Sequence, residues 1–504
     1  MLRLNRDVLL YILRISDIHT VVSVSGVNKL LHGIAQTKQL WIFLARDLCA
    51  RCMMDRPIEL LETLPDEQLI AEVKRAVAGP QTWSRTQDTS PTISRQISLP
   101  IKRDKNARAS SLFLPGERHI LYYRWCVEGD SPRTEMSCYD VYHRRRMWDF
   151  VQLGHVRAVT CDFYTQGKGV LCLMTRDAVT LLEVCMSSTD IPCEVFHFTL
   201  PGFMPDAEIR ISGDHLAWEA NDQRADVPRT VILVNWRLRK FVSFRAPCTQ
   251  TTVDLFPGHM LVAYPTPIES SAAKFQLITI ASLAITVWEF LTTFDDRKPR
   301  ELGSVPFSEF SVAGNDGPGD PERRVKISLN PSRLHDATYE LSLLVADAQH
   351  PGAPPRTIFA RIRKSLGAVF GIAAQHKNDP GKMYNKTVSR YHITLPESDG
   401  PSGIPSVRLL SVDQHTAPYR VVDWFRYGFY CEGLPPRHET TECHRRRLVC
   451  LYRAKDAKGG VLTQPLVIPL FPEEAYIQPG TVRVADAGAV MAQGVRELFV
   501  SYYL

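Results

Sequence analysis

The sequence predicts an α+β, multidomain protein in which a small all-α domain precedes a large all-β propeller of seven or eight blades. Three observations support this prediction. Apolar residues recur at helical spacing up to about residue 77, a polar stretch with prolines follows over residues 79–91, and repeated groups of short strands come after it. The chain has 504 residues, which exceeds one ordinary core, so separate folding units are expected.

The first predicted helix carries Leu9, Ile12 and Leu13 on one face, at spacings of three and four residues. Asn5 is predicted to cap this helix, and Asp7 in the first turn suits the positive end of the helix dipole. Similar patterns continue along the chain until Pro57 and Pro65 interrupt them, and one more helix is expected after Pro65.

Changes in pattern divide the chain into three parts. Residues 1–50 are predicted to form the helical domain, and residues 51–92 a helical extension and linker. Residues 93–504 are predicted to form the propeller.

The strand-rich part repeats a unit of roughly 40–50 residues with about four strands, which is the size of one propeller blade. The first three groups lie between residues 111–142, 156–200 and 208–244. Two third strands share a pattern, because CYDV (138–141) and LVNW (233–236) each precede a basic turn. A pair of stacked β-sandwiches would show similar strands, but the regular grouping favours the propeller.

An isolated strand-like run over residues 93–101 precedes the first blade, and residues 481–504 hold only two or three strands. Pairing the two segments would complete one mixed blade and remove two exposed sheet edges. We therefore expect an N-terminal strand to close the propeller.

Composition excludes several classes of protein. A net charge of +6 over this length does not indicate nucleic-acid binding. The 12 cysteines are scattered, which favours thiols and a cytoplasmic or nuclear location over a disulfide framework. The most apolar stretch, residues 275–291, contains Gln276 and Glu289 and is expected to form strands, not a membrane span. No targeting segment is evident.

Motifs that carry chemistry are weak in this sequence. Cys49 and Cys52 form one Cys-x-x-Cys without a second pair at zinc-ribbon spacing. His438 and His444 are six residues apart, whereas a zinc protease helix requires four. No phosphate loop, dinucleotide fingerprint or nucleophile elbow is present. The sequence therefore predicts no catalytic residue, no metal and no cofactor, and a protein that is not an enzyme.

The segment from Leu4 to Leu44 resembles the F-box. Leu4 stands at the Leu of the Leu-Pro pair of that family, Asp7 at its acidic position, and Asn5 replaces its Pro. The remaining matches are an apolar helix, a Val-x-x-Val-Asn-Lys segment and a Leu-Trp pair, formed by Val8, Leu9, Leu10, Ile12, Leu13, Val24, Val27, Lys29, Leu40 and Trp41.

The resemblance implies a substrate-recognition subunit of an SCF-type (cullin–RING) ubiquitin ligase. Its helical domain would bind a Skp-type adaptor and through it the cullin ligase core, while the propeller would bind a target protein. The residues expected to contact the adaptor are Leu4, Val8, Leu9, Ile12, Leu13, Val24, Val27, Leu40 and Trp41.

Two alternatives stay open. The chain could be a propeller interaction scaffold without a ligase role, in which the helical domain packs only against its own propeller. It could also be a propeller hydrolase or lyase, because the fold alone does not determine function.

Overall fold

The protein is described here from a computed structural model. It describes residues 5–16, 18–78, 92–101, 109–128, 131–165, 167–186, 188–199, 208–220, 230–245 and 251–265. Beyond these, it describes residue 395 and the strands between residues 273 and 503 whose bounds are given below.

The described N-terminal residues form six short helices, the longest of 13 residues. None of the described helices is long and apolar enough to cross a membrane. Asn5 caps the first helix by accepting a hydrogen bond from the Asp7 backbone N–H over 3.4 Å, as predicted. The helices are α1 Arg6–Arg14, α2 Ile18–Ser25, α3 Lys29–Ala35, α4 Lys38–Ala50, α5 Ile58–Thr63 and α6 Asp66–Ala78.

One apolar core holds the six helices together, and we call this unit the helical module (residues 5–78). The core extends from Leu13 in α1 to Val77 in α6 and includes Leu40, Leu44 and Leu48 along one side of α4. It therefore unites the predicted helical domain (1–50) with the helical part of the predicted extension (51–92).

The remaining described residues form strands. The first half comprises β1 Ile93–Pro100, β2 Ala109–Phe113, β3 His119–Glu128, β4 Ser131–Asp140, β5 Arg145–Leu153, β6 Ala158–Thr165, β7 Lys168–Met174, β8 Ala178–Cys185, β9 Cys193–Thr199, β10 Ile209–Ser212, β11 His215–Ala220, β12 Thr230–Asn235, β13 Lys240–Arg245, β14 Thr252–Phe256 and β15 His259–Pro265.

The second half comprises β16 Ala273–Thr279, β17 Trp288–Glu289, β18 Arg300–Glu301, β19 Ser308–Val312, β20 Arg324–Pro331, β21 Thr338–Ala348, β22 Tyr384–Thr394, β23 Ser406–Ala417, β24 Asp423–Phe425, β25 Gly428–Glu432, β26 Leu448–Arg453, β27 Leu466–Pro469, β28 Arg483–Val484, β29 Ala489–Gln493 and β30 Glu497–Tyr503.

The strands form sheets in chain order, antiparallel except for the short parallel pair β13–β18, which is the arrangement of a β-propeller. We number them sheet 1 (β2–β5), sheet 2 (β6–β9), sheet 3 (β10–β13 with β17 and β18), sheet 4 (β14–β16 with β19), sheet 5 (β20–β23) and sheet 6 (β24–β27). The closing sheet has the order β1-β30-β29-β28.

Five apolar cores join successive sheets, from the closing sheet through sheets 1 to 5. Large aromatic side chains fill several of them, such as Trp218 between sheets 2 and 3 and Phe244 between sheets 3 and 4.

The predicted count of seven or eight blades is wrong. Five four-stranded sheets contribute side chains to the described cores: the closing sheet and sheets 1, 2, 4 and 5. Sheet 3 departs from the blade pattern because the two-residue strands β17 and β18 both pair with its fourth strand, β13. The side chains of sheet 6 lie outside the described residues. Within the described residues, the structure thus contains five regular blades, and the sequence count was too high because it treated every strand group as an equivalent blade.

The expected closure by an N-terminal strand is present. β1 pairs antiparallel with β30 along its length, from Ile93 opposite Tyr503 to Pro100 opposite Glu497. The first strand after the helical module thus lies at the outer edge of the closing sheet. The module therefore joins the propeller where the closing sheet packs against sheet 1.

Candidate functional site: the helical module and its junction with the propeller

Three of the residues predicted to contact an adaptor belong to the core of the helical module. Leu13, Leu40 and Trp41 are almost fully buried. The Trp41 indole N–H donates a hydrogen bond to the Ala35 carbonyl oxygen over 2.6 Å, which satisfies the polar atom of this buried ring. These side chains support the fold of the module and are not available on its surface.

Val8 and Ile12 are exposed on α1, as an adaptor contact requires, with 44% and 41% of their surface accessible. Tyr11 and Ile15 accompany them, at 63% and 69%. The four positions follow the i, i+3, i+4, i+7 spacing of one helix face. Leu13 points into the core from the other side, so α1 carries apolar side chains on both faces.

Exposed apolar side chains also lie on the next two helices and in the turn between them. Val22, Val27 and Leu30 are exposed, at 44%, 68% and 63%. Val27 was among the predicted adaptor contacts, whereas Val22 and Leu30 were not. We call the seven residues the exposed apolar face: Val8, Tyr11, Ile12, Ile15, Val22, Val27 and Leu30.

Two more predicted residues, Leu9 and Val24, are half-buried and pack against the module core. Leu4 lies outside the described residues. The prediction missed Tyr11, Ile15, Val22 and Leu30. The spacing of Tyr11 and Ile15 relative to Val8 and Ile12 could have revealed the first two, because it completes a second apolar face opposite Leu13.

A buried ion network connects the helical module to the propeller. The carboxylate of Asp55, which is 2% exposed, lies 2.6 Å from Nη2 of Arg75 in α6 and 3.0 Å from Nη2 of Arg95 in β1. Burial by itself would raise the pKa of Asp55, but the two guanidinium groups outweigh burial and lower this pKa. Glu72 adds a second carboxylate 3.0 Å from Arg75, so the positive charge of the buried guanidinium is balanced by both Asp55 and Glu72.

Arg95 also holds two aromatic rings of the propeller. Its guanidinium lies 4.1 Å from the centroid of the Tyr502 ring in β30 and 4.8 Å from that of Tyr142 in the turn after β4. The Tyr502 hydroxyl donates to the Glu117 carbonyl oxygen over 2.9 Å. A single arginine therefore joins the module, the closing sheet and sheet 1.

The backbone of the module also comes close to the propeller. A Cβ placed on Gly116, in the turn between β2 and β3, would lie 2.9 Å from the Cys52 carbonyl oxygen and 3.0 Å from that of Met54. Gly116 has a φ of +82°, a conformation that favours glycine. The turn thus fits against the segment that links α4 to α5 only because it has no side chain there.

The antiparallel order of each sheet determines which end the module covers. The turn between the first and second strands and the turn between the third and fourth strands lie at the same end of a sheet. Gly116 and Tyr142 belong to two such turns of sheet 1. We call this end of the propeller the module face, and it includes turns 114–118, 141–144, 213–214 and 236–239.

The two cysteines of the Cys-x-x-Cys segment, Cys49 and Cys52, are half-buried free thiols. Burial raises the pKa of Cys49 to about 12 and also raises that of Cys52, so both stay protonated at neutral pH. Among the residues that the structure describes, no group of three His, Cys, Asp or Glu side chains is placed to hold a metal ion. The loop that contains His438 and His444 lies outside the described residues.

No protein-family model matches the sequence, and no curated protein matches it. Among solved structures, hydrazine synthase of Kuenenia stuttgartiensis matches with 10% identity and a TM-score of 0.37, covering 82% of this chain and 96% of that chain. The propeller domain of Cps50 (Swd1) from Myceliophteria thermophila matches with 9% identity and a TM-score of 0.40, covering 81% and 99%. An oligogalacturonate lyase in complex with manganese matches with 8% identity and a TM-score of 0.35, covering 82% and 98%. Similarity at this level gives no information about the activity or the partners of this chain.

Proposed function

We propose that the protein is a non-enzymatic protein-interaction scaffold in which the helical module presents a docking surface and the propeller holds the module in place. The observation that carries this proposal is the exposed apolar face. Its seven side chains lie on a module whose own core is already formed by other residues, so folding alone does not require them to be apolar. Exposed apolar patches of this kind mark interaction sites.

The junction supports the same proposal. Asp55, Arg75 and Arg95 connect the module to β1 through buried charges, and such a network is strongly destabilised when one partner is removed. A partner bound to the exposed apolar face is therefore held in a defined orientation relative to the propeller, as a scaffold requires.

Proximity labelling with the full chain fused to a biotin ligase tests the scaffold proposal. A Tyr11→Glu/Ile15→Glu variant places two charges on the exposed apolar face, while Leu153→Glu charges a leucine that is 77% exposed at the end of β5, away from the module face. We expect a defined set of labelled proteins that the first variant loses and the second retains. The same labelled set from wild type and both variants would contradict the proposal.

A second candidate function is the substrate receptor of an SCF-type ubiquitin ligase. It is favoured by the position of the exposed apolar face, because Val8, Ile12 and Val27 belong to the segment that resembles the F-box. In this case the docking surface binds a Skp-type adaptor, and the propeller binds a target protein. Asn5 stands where the family has Pro and caps α1 with its side chain, so the helix start is preserved.

Co-expression of the full chain with a Skp-type adaptor, followed by pull-down and gel filtration, separates the two candidates. A complex that Ile12→Glu abolishes and Leu153→Glu leaves intact supports the ligase function. A folded full-length protein that forms no complex with the adaptor excludes it, while the partners found by proximity labelling still decide the scaffold proposal.

A further inference from the structure

Two turns on the module face have the same unusual construction. In the turn after β4, the Asp140 carboxylate accepts a hydrogen bond from the His143 backbone N–H over 3.0 Å. In the turn after β12, the Asn235 side-chain oxygen accepts one from the Leu238 backbone N–H over 2.9 Å. Asp140 and Asn235 lie directly opposite histidines that begin the second strands of sheets 1 and 3.

Each of these turns ends in an arginine with positive φ. Arg144 has a φ of 53° and Arg239 a φ of 52°. A residue with a Cβ pays roughly 1 kcal/mol or more for this conformation, which glycine adopts freely. The first turns of sheets 1, 3 and 4 do use glycine at positive φ, at Gly116, Gly213 and Gly258. Arginine at the ends of the turns after β4 and β12, where φ is also positive, is therefore unfavourable for the turns themselves.

The charges of these arginines face solvent without an acidic partner among the described residues. Arg144, Arg145 and Arg239 are all exposed, and the structure shows no ion pair for them. Their neighbours differ, because Arg146 lies 3.0 Å from Asp149 and Arg237 forms an ion pair with Asp214. Unpaired arginine forks on a surface suit carboxylate groups of another molecule.

Apolar side chains accompany the arginines on the same rim. Leu238 is 63% exposed beside Arg239, and Ile191 is 74% exposed in the turn between β8 and β9 of sheet 2, which lies between sheets 1 and 3. This middle turn also carries the exposed Asp190. The surface therefore offers positive charge at its two ends and apolar groups with one negative charge between them.

We propose that the rim formed by Arg144, Arg145, Ile191, Leu238 and Arg239 binds an acidic peptide segment of a partner protein. This inference rests on the proposed scaffold function and names the surface of the propeller that takes part in it. Tyr142, in the same turn as Arg144, stacks on Arg95 of the junction, so a peptide bound here lies next to the helical module.

Geometry sets the length of the segment. Packed sheets are about 10 Å apart, so the arginines of sheets 1 and 3 are separated by roughly 20 Å or more. An extended chain rises about 3.3 Å per residue, and about seven residues are needed to reach both ends. A peptide of four residues contacts one end only.

Fluorescence anisotropy with purified full-length protein tests the inference, with fluorescein-labelled dodecaglutamate and tetraglutamate as probes. The variant Arg144→Gly/Arg239→Gly removes two of the three cations of the rim and places glycine at both positions with positive φ. We expect it to bind dodecaglutamate at least tenfold more weakly than wild type, with a melting temperature equal to or above that of wild type. Tetraglutamate is expected to bind wild type at least tenfold more weakly than dodecaglutamate.

Arg176→Gly is the matched control, because Arg176 is exposed in the turn between β7 and β8 at the opposite end of the propeller. It should bind dodecaglutamate within twofold of wild type. Equal weakening by the control, unchanged binding by the double variant, or no binding by wild type would each overturn the inference. Proximity labelling of the exposed apolar face does not depend on these outcomes, so failure here is distinguishable from failure of the scaffold proposal.

Discussion

Oδ2 of Asp55 accepts a hydrogen bond from Nη2 of Arg95 over 3.0 Å, and this contact joins the helical module to the strand that closes the propeller. Both the module and the closing sheet depend on it, because the other carboxylate oxygen of Asp55 holds Arg75 inside the module. The pair therefore links the stability of the helical module to that of the closing sheet.

Asp55→Asn is expected to destabilise the protein by about 3–5 kcal/mol, because the buried Arg75 then loses one of its two carboxylate contacts and keeps the one with Glu72. Asp66→Asn is the control. Asp66 pairs with Lys38 at 3.7 Å in a solvent-exposed position, and such a pair contributes about 1 kcal/mol or less. Denaturant unfolding measures both variants. An equal, small loss in both would show that the buried network does not stabilise the junction.

The close approach at Gly116 makes a second prediction. Gly116→Ala introduces a Cβ against two carbonyl oxygens of the module and also strains a backbone with positive φ. Gly213→Ala has the backbone strain alone, because no atom lies within 4 Å of the added Cβ and φ is +53°.

We expect Gly213→Ala to reduce the free energy of unfolding by about 1 kcal/mol and Gly116→Ala by a further 1–3 kcal/mol. Urea titrations followed by circular dichroism give both values. If the two variants lose the same stability, the contact between the module and the propeller at this turn does not contribute to folding.

Local patterns in the sequence were sufficient to predict the helices. The first helix and its cap at Asn5 depend on residues within a few positions of each other, and the structure has both. The predicted single face of Leu9, Ile12 and Leu13 was wrong in one residue, because Leu9 and Leu13 pack in the core whereas Ile12 is exposed on the other side of α1. The strand at residues 93–101 could be assigned to the C-terminal sheet because the isolated strand and the incomplete sheet would each leave an unpaired edge, and pairing the two removes both edges.

The number of blades could not be obtained in the same way. It depends on which strands pair, and β17 and β18 join β13 across more than 40 residues of sequence. Two-residue strands carry no alternation that would reveal this pairing.

The candidate site was predicted only in part for a related reason. Periodicity shows that α1 is apolar, but not which apolar side chains the other helices cover. Leu13, Leu40 and Trp41 entered the core, while Val8, Ile12 and Val27 stayed outside it. That choice depends on how α1 packs against α3 and α4, which are distant in the sequence.

The two groups of residues should respond differently to substitution. Trp41→Ala removes a buried ring and leaves the Ala35 carbonyl oxygen without its donor, so we expect a loss of about 3–5 kcal/mol in the free energy of unfolding. Val8→Glu changes an exposed position and should alter stability by about 0.5 kcal/mol or less. Thermal unfolding of the full chain compares them. A large loss for Val8→Glu would mean that the exposed apolar face is part of the core.

The last prediction concerns pH. His119 begins β3, faces Asp140 and is close to Arg118 and His143, and burial lowers its pKa to about 4. Burial also lowers the pKa of His215, which occupies the same position in sheet 3. An unfolded histidine titrates near 6.5, so between pH 6.5 and 4 the unfolded chain binds more protons than the folded one. Stability from these histidines is therefore complete above pH 6.5 and is lost as the pH falls towards 4.

Lowering the pH from 7.5 to 4.8 should remove about 2 kcal/mol of stability through His119 alone. Asp254 acts in the opposite direction, since burial raises its pKa to about 6. Asp140 does not titrate in this range, because hydrogen bonds from His143 and Arg118 outweigh its burial and keep its pKa at about 2.

The measurement compares the pH-dependent loss of stability between variants, so that the contributions of other titrating groups cancel. The pH-dependent loss should be smaller in His119→Gln than in wild type and unchanged in His32→Gln, which alters an exposed histidine of the helical module. Equal losses in all three proteins would show that His119 is not held in its neutral form by the fold.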